Sequence, residues 1–536
     1  MPLVCLRFCV FASRPPELAG WHTDLPDEPL VPASWLDPLP DAELMRDTDR
    51  WAIEEQGIAS LELMERAGAG LAALIAEVAP EGEISVVCGS GNNGGDGLVA
   101  ARLLRDAGRS VSVWLTAAPE RLSGDPRVNL ERLPGPAPAP FSGAALDSAA
   151  VIVDALLGTG FTGQPHGPVG EAIAAIVAGG RPVVAADVPS GVDASTGEVS
   201  GPAVHARATA TFHAAKPGLW IAPGKGHVGD LRVIDIGIAT GAPGGASVGL
   251  IGCGVRELIP HRDAPATKFS SGHVLVAGGC TGLTGAPCLA SAAAMRAGAG
   301  YVTACVPASL NLVFESRLLE VMTRPLADRD GSLLAEGAQE VLEQARHRGG
   351  ALVLGPGLGG APGAVAFARR VARDAPVALL LDADGLNAHA GRLEALARRP
   401  APTVMTPHAG ELAKLLDIDS ADVERRRLHH VREAARRSGA VVVLKGDDTL
   451  VAEPGGEVAV SPGGSPALAT AGTGDVLSGV TAAMLAKGLE PFAAACAAVA
   501  VHAEAGRRAA AEHGADGVIA SDVIAALPGA LAGARP

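Results

Sequence analysis

The sequence is poor in lysine. Only six of its 43 basic residues are Lys, at positions 216, 225, 268, 414, 445 and 487, and the rest are Arg. Where a plain positive charge suffices this chain uses Arg, so the few lysines retained mark places where a compact point donor differs from a planar fork. Paired cysteines are missing too. Eight Cys stand scattered at 5, 9, 88, 253, 280, 288, 305 and 496, with no CxxC pair and no Cys/His cluster at zinc spacing. That pattern points to reduced thiols and a cytoplasmic protein. No apolar run reaches the ~18 charge-free residues of a membrane helix, so no membrane partner is expected. Positive charge is not in excess: the net charge is −15 and the pI about 5.4. A nucleic-acid footprint is basic, so nucleic acid is not an expected partner either.

What is present fits a large globular chain. Its 536 residues are too many for one core and suggest two domains. Apolar residues make up 48% and charged residues 19%, which excludes wholesale disorder. Gly and Pro, 69 and 40 in number, recur without a period, which excludes a collagen-like chain. Near the N-terminus the stretch Phe8–Ala12 is bounded by Arg7 and Arg14-Pro15-Pro16, too short for a signal sequence. Residues 1–40 therefore read as a flexible extension.

Short β-branched runs alternate with Ala/Leu-rich stretches, which argues for an α/β fold with parallel sheets. In the first half, strands are expected at Ile84–Cys88, Val111–Leu115, Val151–Ala155, Pro182–Ala186, Ala208–Phe212 and Leu231–Ile236. Helices are expected over Ala52–Ala79, Asp96–Ala107 and Gly170–Ala178, with a surface loop over Ala118–Ser142. Gly241–Ala246 reads as a linker. The expected units are 41–240 and 263–536, joined by a linker and entry segment over 241–262. In the second half, strands are expected at His273–Ala277, Tyr301–Val306, Leu352–Leu354, Val377–Leu381, Val404–Thr406, Val441–Leu444 and Thr449–Ala452. Helices are expected over Gly285–Ala297, Val423–Arg437, Asp475–Ala486 and Phe492–Ala511.

The first expected strand runs directly into Gly89-Ser-Gly-Asn92-Asn93-Gly94-Gly95-Asp96-Gly97. Five glycines in nine residues permit positive φ and close approach of an anion to backbone N–H groups. GxG alone would be no more than a tight turn; two Asn and an Asp add groups that can meet ribose, amides or a cation. Two later strand ends carry Asp154-Ala-Leu-Leu-Gly158-Thr159-Gly160-Phe161-Thr162-Gly163 and Asp187-Val-Pro-Ser190-Gly-Val-Asp193. Ligands of open parallel sheets bind beyond strand C-termini, and oxygen donors there suit a hard cation.

GNNGGDG, DALLGTGF and DVPSGVD resemble the N-terminal YjeF domain, the NAD(P)HX epimerase family, from about Leu39 to Ile238. The resemblance implies a Rossmann-like fold that interconverts the R and S forms of hydrated NADH and NADPH. It also implies K⁺ bound by Asn93, Asp154 and Ser190. Substrate loops would be Asn92, Asn93, Gly94, Gly95 and Asp96, and Gly158, Thr159, Gly160, Phe161, Thr162, Gly163 and Gln164. Asp187 would bind substrate and serve as acid/base. Lys216, in the KPG word, would lie near substrate, or else be a surface lysine before a turn.

The second half carries Ala471-Gly472-Thr473-Gly474-Asp475 before an apolar helix. Consecutive N–H groups could form an anion hole, with Asp475 as a base for a hydroxyl; alternatively Asp475 only caps the helix. Lys445-Gly446-Asp447-Asp448-Thr449 lies between two strands and could hold a diphosphate or be a hairpin turn. Together GPGLG, DADGLN, TPHAGE, KGDDT and AGTGD resemble the YjeF C-terminal family of ribokinase-like folds, the ADP/ATP-dependent NAD(P)HX dehydratases, over about Lys268 to Leu527. The resemblance implies that Gly357, His408 and Ala286 contact hydrated NAD(P)H. It implies that Lys445, Gly446, Asp447, Asp448, Thr449 and Gly474 bind ADP with Mg²⁺, and that Asp475 is the base. The entry loop keeps Lys268 but not the family's usual His-Lys-Gly. A homo-oligomer is expected. Two other readings stand beside this one: a small-molecule kinase of the hydroxymethylpyrimidine or thiazole type in the second half, and a non-catalytic binding module in the first.

Overall fold

The computed structural model describes residues 33–239 and 244–533. Residues 1–32 of the expected extension and 241–243 of the expected linker lie outside the described residues. The chain forms two α/β units, each built on its own sheet. Among the described residues no helix is long and apolar enough to cross a membrane.

The first sheet has seven parallel strands. Their order is Ala139–Pro140, Val111–Leu115, Ile84–Cys88, Val151–Ala155, Val183–Ala186, Ala208–Phe212 and Asp230–Ile234. From Ile84–Cys88 the chain builds outward in one direction, then returns to build outward in the other. The loops leaving the two central strands part there and open a crevice, the usual ligand position of such sheets. Both faces of Ile84–Cys88 are covered: Val86 and Cys88 join the core that includes Leu71, Ile75 and Leu98, and Val87 packs with Ile173 and Ile176. This is why the strand is apolar at every position but Ser85.

The second sheet has eleven strands, in the order Leu36–Pro38, Val248–Ile251, Val458–Val460, Leu450–Ala452, Val441–Leu444, Thr403–Met405, Ala378–Leu381, Ala351–Leu354, His273–Ala277, Tyr301–Pro307 and Met322–Leu326. The seven from Val441–Leu444 to Met322–Leu326 are parallel, Leu450–Ala452 runs antiparallel to them, and Val458–Val460 pairs antiparallel with Leu450–Ala452. Alternate residues feed two cores: Val274 and Val276 face the helices Gly285–Arg296, Thr473–Ala486 and Pro491–His513, while Leu275 and Ala277 face Ala338–Arg348 and Pro362–Asp374. Five parallel strands therefore deliver Gly278, Gly355, Asp382, Thr406 and Lys445 to one rim.

Several expectations are corrected. Residues 36–38 of the expected extension and 248–251 of the expected linker are adjacent antiparallel strands of the larger sheet. The helix expected over Ala52–Ala79 is two, Ala42–Glu54 and Ser60–Val78, because Gly57 takes φ of 69° between them. The expected helix Val423–Arg437 is likewise broken at Arg426. The loop expected over Ala118–Ser142 contains a helix, Gly124–Glu131. The helix expected to start at Asp96 starts at Asn92, so NNGGDG forms its first turns. None of the glycines at 89, 91, 94, 95 or 97 has positive φ. Their role is close approach: a Cβ on Gly94 would lie 2.1 Å from the Gly89 carbonyl oxygen, and one on Gly95 2.6 Å from Met64 Sδ.

Candidate active sites

Strand Val183–Ala186 ends at Asp187, whose φ of 63° is strained for a residue with a side chain. Its N–H donates to the Ala210 carbonyl at 2.7 Å, which holds the bend. The carboxylate thereby faces the crevice. Lys216 Nζ lies 2.7 Å from Asp187 Oδ1, and the Thr159 amide and hydroxyl donate to Oδ2 at 2.9 and 2.5 Å. Lys216 is 1% exposed and gives its other protons to Thr211 Oγ1 and the Phe212 carbonyl at 2.8 and 3.0 Å. All three ammonium donors are thus used, which a buried cation requires. Burial by itself pushes the Asp187 carboxyl up; Lys216 and Thr159 outweigh it and hold the pKa below the ordinary carboxylate value.

A cavity of about 790 Å³ opens over this pair. Of the expected substrate residues it is lined by Asn92, Asn93, Asp96, Gly158, Thr159, Gly160, Phe161, Thr162 and Gln164. Gly94 and Gly95 stand behind the wall as packing residues, and Gly163 forms a turn with φ of 82°. Asp96 is buried, and burial together with Asp187 and Asp49 pushes its carboxyl well up. Asp49, from helix Ala42–Glu54, lines the cavity and was not legible in the sequence, where it is one charge among Arg46, Asp47 and Arg50.

Beneath the cavity floor Asp154 is fully buried. It accepts from the Ser190 amide at 2.8 Å and the Ser190 hydroxyl at 2.6 Å. Burial raises its carboxyl to about 6 against these bonds. Asn93 Nδ2 donates to the Leu157 carbonyl at 2.9 Å, which leaves Asn93 Oδ1 buried with no partner among the described residues. A buried acceptor without a donor is costly, and a carboxylate, an orphan amide oxygen and a hydroxyl together are the donor set of a hard cation. No cluster of three His, Cys, Asp or Glu suited to a metal occurs among the described residues.

In the second unit the rim residues converge on Lys445. Its Nζ lies 3.0 Å from Asp382 Oδ1 and 3.7 Å from Glu411 Oε2, and a Cβ on Gly474 would be 3.6 Å away. Ser478 donates to Asp382 Oδ2 at 2.8 Å. Burial pulls the Lys445 ammonium down, but the Asp382 and Glu411 carboxylates hold its pKa above the ordinary value. The helix expected to start at Asp475 begins at Thr473, inside AGTGD, with Gly472 as its cap at φ of 90°. Asp475 is the third helical residue, and its carboxylate makes no hydrogen bond among the described residues. The cap reading of Asp475 therefore lacks the geometry it needs. Burial, then the nearby Asp382, raise its carboxyl to about 7, with Lys445 pulling the other way.

His408 caps the helix Ala409–Leu416: its Nδ1 accepts from the Gly410 and Glu411 amides at 3.0 and 3.3 Å. Its Nε2 lies 3.6 Å from Glu411 Oε1, and the side chain is 59% exposed. Gly357 has φ of 62°, and a Cβ there would lie 2.3 Å from the Leu283 carbonyl oxygen. Ala286 sits in the first turn of helix Gly285–Arg296. Within KGDDT, Thr449 Oγ1 closes the turn on the Gly446 carbonyl at 2.6 Å, Asp447 is exposed, and Asp448 is buried against Arg427 Nε at 2.8 Å.

Residues 60–218 match the family described as YjeF-related protein N-terminus, and residues 274–529 the family described as NAD(P)H-hydrate dehydratase. The chain is 39% identical over 520 residues to the bifunctional NAD(P)H-hydrate repair enzyme of Salinibacter ruber, covering 92% of this chain and 95% of that protein. It is 38% identical to the enzyme of that name from Moorella thermoacetica, covering 90% and 94%. Among solved structures it is similar to the ADP/ATP-dependent NAD(P)H-hydrate dehydratase of Bacillus subtilis co-crystallised with ATP and Mg²⁺, at 28% identity and a TM-score of 0.45, covering 52% of this chain and 96% of that one. Two matched regions in one chain, and relatives alike over nine-tenths of its length, give one conclusion: the chain belongs to the bifunctional NAD(P)H-hydrate repair enzyme family.

Proposed function

We propose that this protein epimerises R and S hydrated NAD(P)H in its first unit and dehydrates the S form to NAD(P)H in its second, at the expense of ADP. Residues 41–240 form the epimerase, and 263–536 with the strands at 36–38 and 248–251 form the dehydratase. The observation that carries this reading is the uncapped, half-buried Asp475 beside Lys445 and the glycine turn. A base with a pKa of about 7 is matched to a hydroxyl at neutral pH. Asp475 takes the ring hydroxyl proton as that oxygen attacks the β-phosphorus of ADP. AMP leaves, and loss of phosphate restores the dihydronicotinamide. Lys445 and the Gly472–Gly474 amides hold the transferring group, while Gly357, His408 and Ala286 place the hydrated ring. Mg²⁺ bound with the nucleotide would offset phosphate charge. A kinase that merely adds phosphate would use the same base, so the product decides between the two.

In the first unit Asp187 acts as acid/base, with Lys216 fixing its charge and direction. K⁺ would be held by Asn93 Oδ1, Asp154 and Ser190, and would supply a countercharge beneath the cavity. Six described cysteines free of disulfides are in keeping with a reducing, cytoplasmic setting. The test is to give the protein mixed-epimer hydrated NADH with ADP and follow NADH absorbance. Full conversion of both epimers is expected. Conversion stopping at the S fraction removes the epimerase, and a stable phosphorylated product in place of NADH removes the dehydratase.

A further inference from the structure

The segment that follows Lys216 leaves the epimerase centre and runs into the other unit. Ile221 is fully buried and belongs to the dehydratase core with Val248, Leu444 and Leu450. The next residue, Ala222, donates its N–H to Asp448 Oδ2 at 2.8 Å. The same oxygen accepts from Arg427 Nε at 2.8 Å, and Arg427 Nη2 reaches the Leu444 and Lys445 carbonyls at 3.4 Å. Three residues further on, Lys225 Nζ lies 2.5 Å from Asp447 Oδ2 and 3.4 Å from the Asp447 carbonyl. Both aspartates of the KGDDT turn are thus held by groups of the epimerase unit.

The charge balance gives this contact a purpose. Asp382, Glu411 and Asp475 already surround Lys445. An anionic nucleotide entering there meets three carboxylates, and an uncompensated Asp447 would add a fourth at the mouth. Lys225 cancels that charge, and its scarcity as a residue type makes an incidental surface lysine a poor account of it.

We infer that Lys225 and Ala222 are positioning residues of the dehydratase's nucleotide site: a strap from the epimerase unit fixes the Asp447–Asp448 turn and neutralises its edge for a nucleoside diphosphate. This rests on the reading of Lys445–Thr449 as the nucleotide turn. The test uses the full chain with Lys225→Ala, whose folding is checked against wild type by thermal unfolding because the side chain is only 22% exposed. Binding of ADP is measured by titration calorimetry, and KM for ADP and kcat in dehydration of pure S substrate by NADH absorbance. In Lys225→Ala, Kd and KM for ADP should rise about three- to fivefold at low salt, the scale of one exposed ion pair. Turnover at saturating ADP should stay within about twofold. Lys225→Arg should restore affinity, and adding Asp447→Asn to Lys225→Ala should recover part of it. Unchanged ADP affinity in Lys225→Ala, beside a wild type that binds, overturns the inference alone. A loss in kcat rather than KM, or one that neither change recovers, overturns it as well. A wild type that binds no ADP overturns the nucleotide reading and this inference with it.

Discussion

Replacing Asp475 with Asn separates chemistry from folding in a single variant. The side chain keeps its size and one acceptor oxygen but cannot take a proton. A positioned base contributes about 10²–10⁴-fold, so NADH formation should fall by that factor. Stability should move the other way. The Asp475 carboxyl is raised to about 7, chiefly by burial and then by Asp382. A raised carboxylate pKa means the folded protein binds the proton more tightly than the unfolded chain. Its contribution is therefore favourable at low pH and is lost as pH rises through about 7. At pH about 8 the native state carries a charge it would be more stable without, worth up to ~4 kcal/mol if the whole shift counted, and about 1–2 kcal/mol once solvent screening is allowed for. Asp475→Asn should then melt several degrees above wild type at that pH, with the gain vanishing near about pH 4. In the wild type, kcat/KM for the S substrate should rise with pH and level off above about 7, as the free base ionises. The assays are NADH absorbance, ADP titration and thermal unfolding across pH on one preparation. Near-wild-type turnover refutes the base. A variant that is both slow and less stable refutes the electrostatic argument and returns Asp475 to a structural role.

Lys216→Met leaves Asp187 buried without its cation, and breaking a buried pair costs about 3–5 kcal/mol. Thermal unfolding should show that loss, and epimerisation should vanish while dehydration of pure S substrate continues in whatever fraction folds. Because the Asp187 pKa is depressed, the wild-type pair contributes stability at neutral pH that is lost as pH falls below the ordinary carboxylate range. Acid titration of Lys216→Met should show a weaker dependence there. Asp154→Ala should remove a K⁺ surrogate's anomalous signal and epimerase activity together; an unchanged signal would place the cation elsewhere. Gly357→Ala puts a Cβ 2.3 Å from the Leu283 carbonyl in a left-handed conformation, so KM for the S substrate should rise with a loss of about 1–3 kcal/mol in stability. Normal values for both would mean the loop rebuilds freely.

Buried parallel strands were the legible part of the fold. Val441–Leu444 is an unbroken apolar run, and Ile84–Cys88 and Val151–Ala155 are apolar but for Ser85 and Asp154, because all three strands are buried on both faces. Edge strands were legible only in part: Asp230–Ile234 was expected and Met322–Leu326 was not. Met322–Leu326 contains a Thr, an Arg and a Pro because most of its surface meets solvent, so no apolar pattern marks it. The helix start at Asn92 was hidden by composition. Asn and Gly are poor helix formers, and tertiary contact with Gly89 and Met64 overrides that preference. At the sites, the rim words placed Asp187, Lys445, Gly474 and Asp475 at strand or helix ends, where the structure brings them together within each unit. The environment of Asp448 was not legible: it sits inside a turn expected to face nucleotide, and its carboxylate turns inward to Arg427, 21 residues upstream. Pairings across such separations leave no local pattern.

Leu36–Pro38 and Val248–Ile251 have a consequence for dissecting this protein. Pro38 stands opposite Gly249 and Leu36 opposite Ile251, as in a hairpin whose loop is an entire catalytic body. The epimerase is thus an insertion into the dehydratase sheet, with entry and exit about 5 Å apart, the spacing of neighbouring antiparallel strands. A fragment starting at residue 263 loses both strands and bares Val458–Val460, an apolar edge ready to pair with other chains. Excising 41–246 and closing the gap with a short turn keeps the sheet whole. Internal deletion thus preserves the sheet that truncation breaks, while it costs the dehydratase core Ile221 and the Asp447–Asp448 turn its contacts with Ala222 and Lys225.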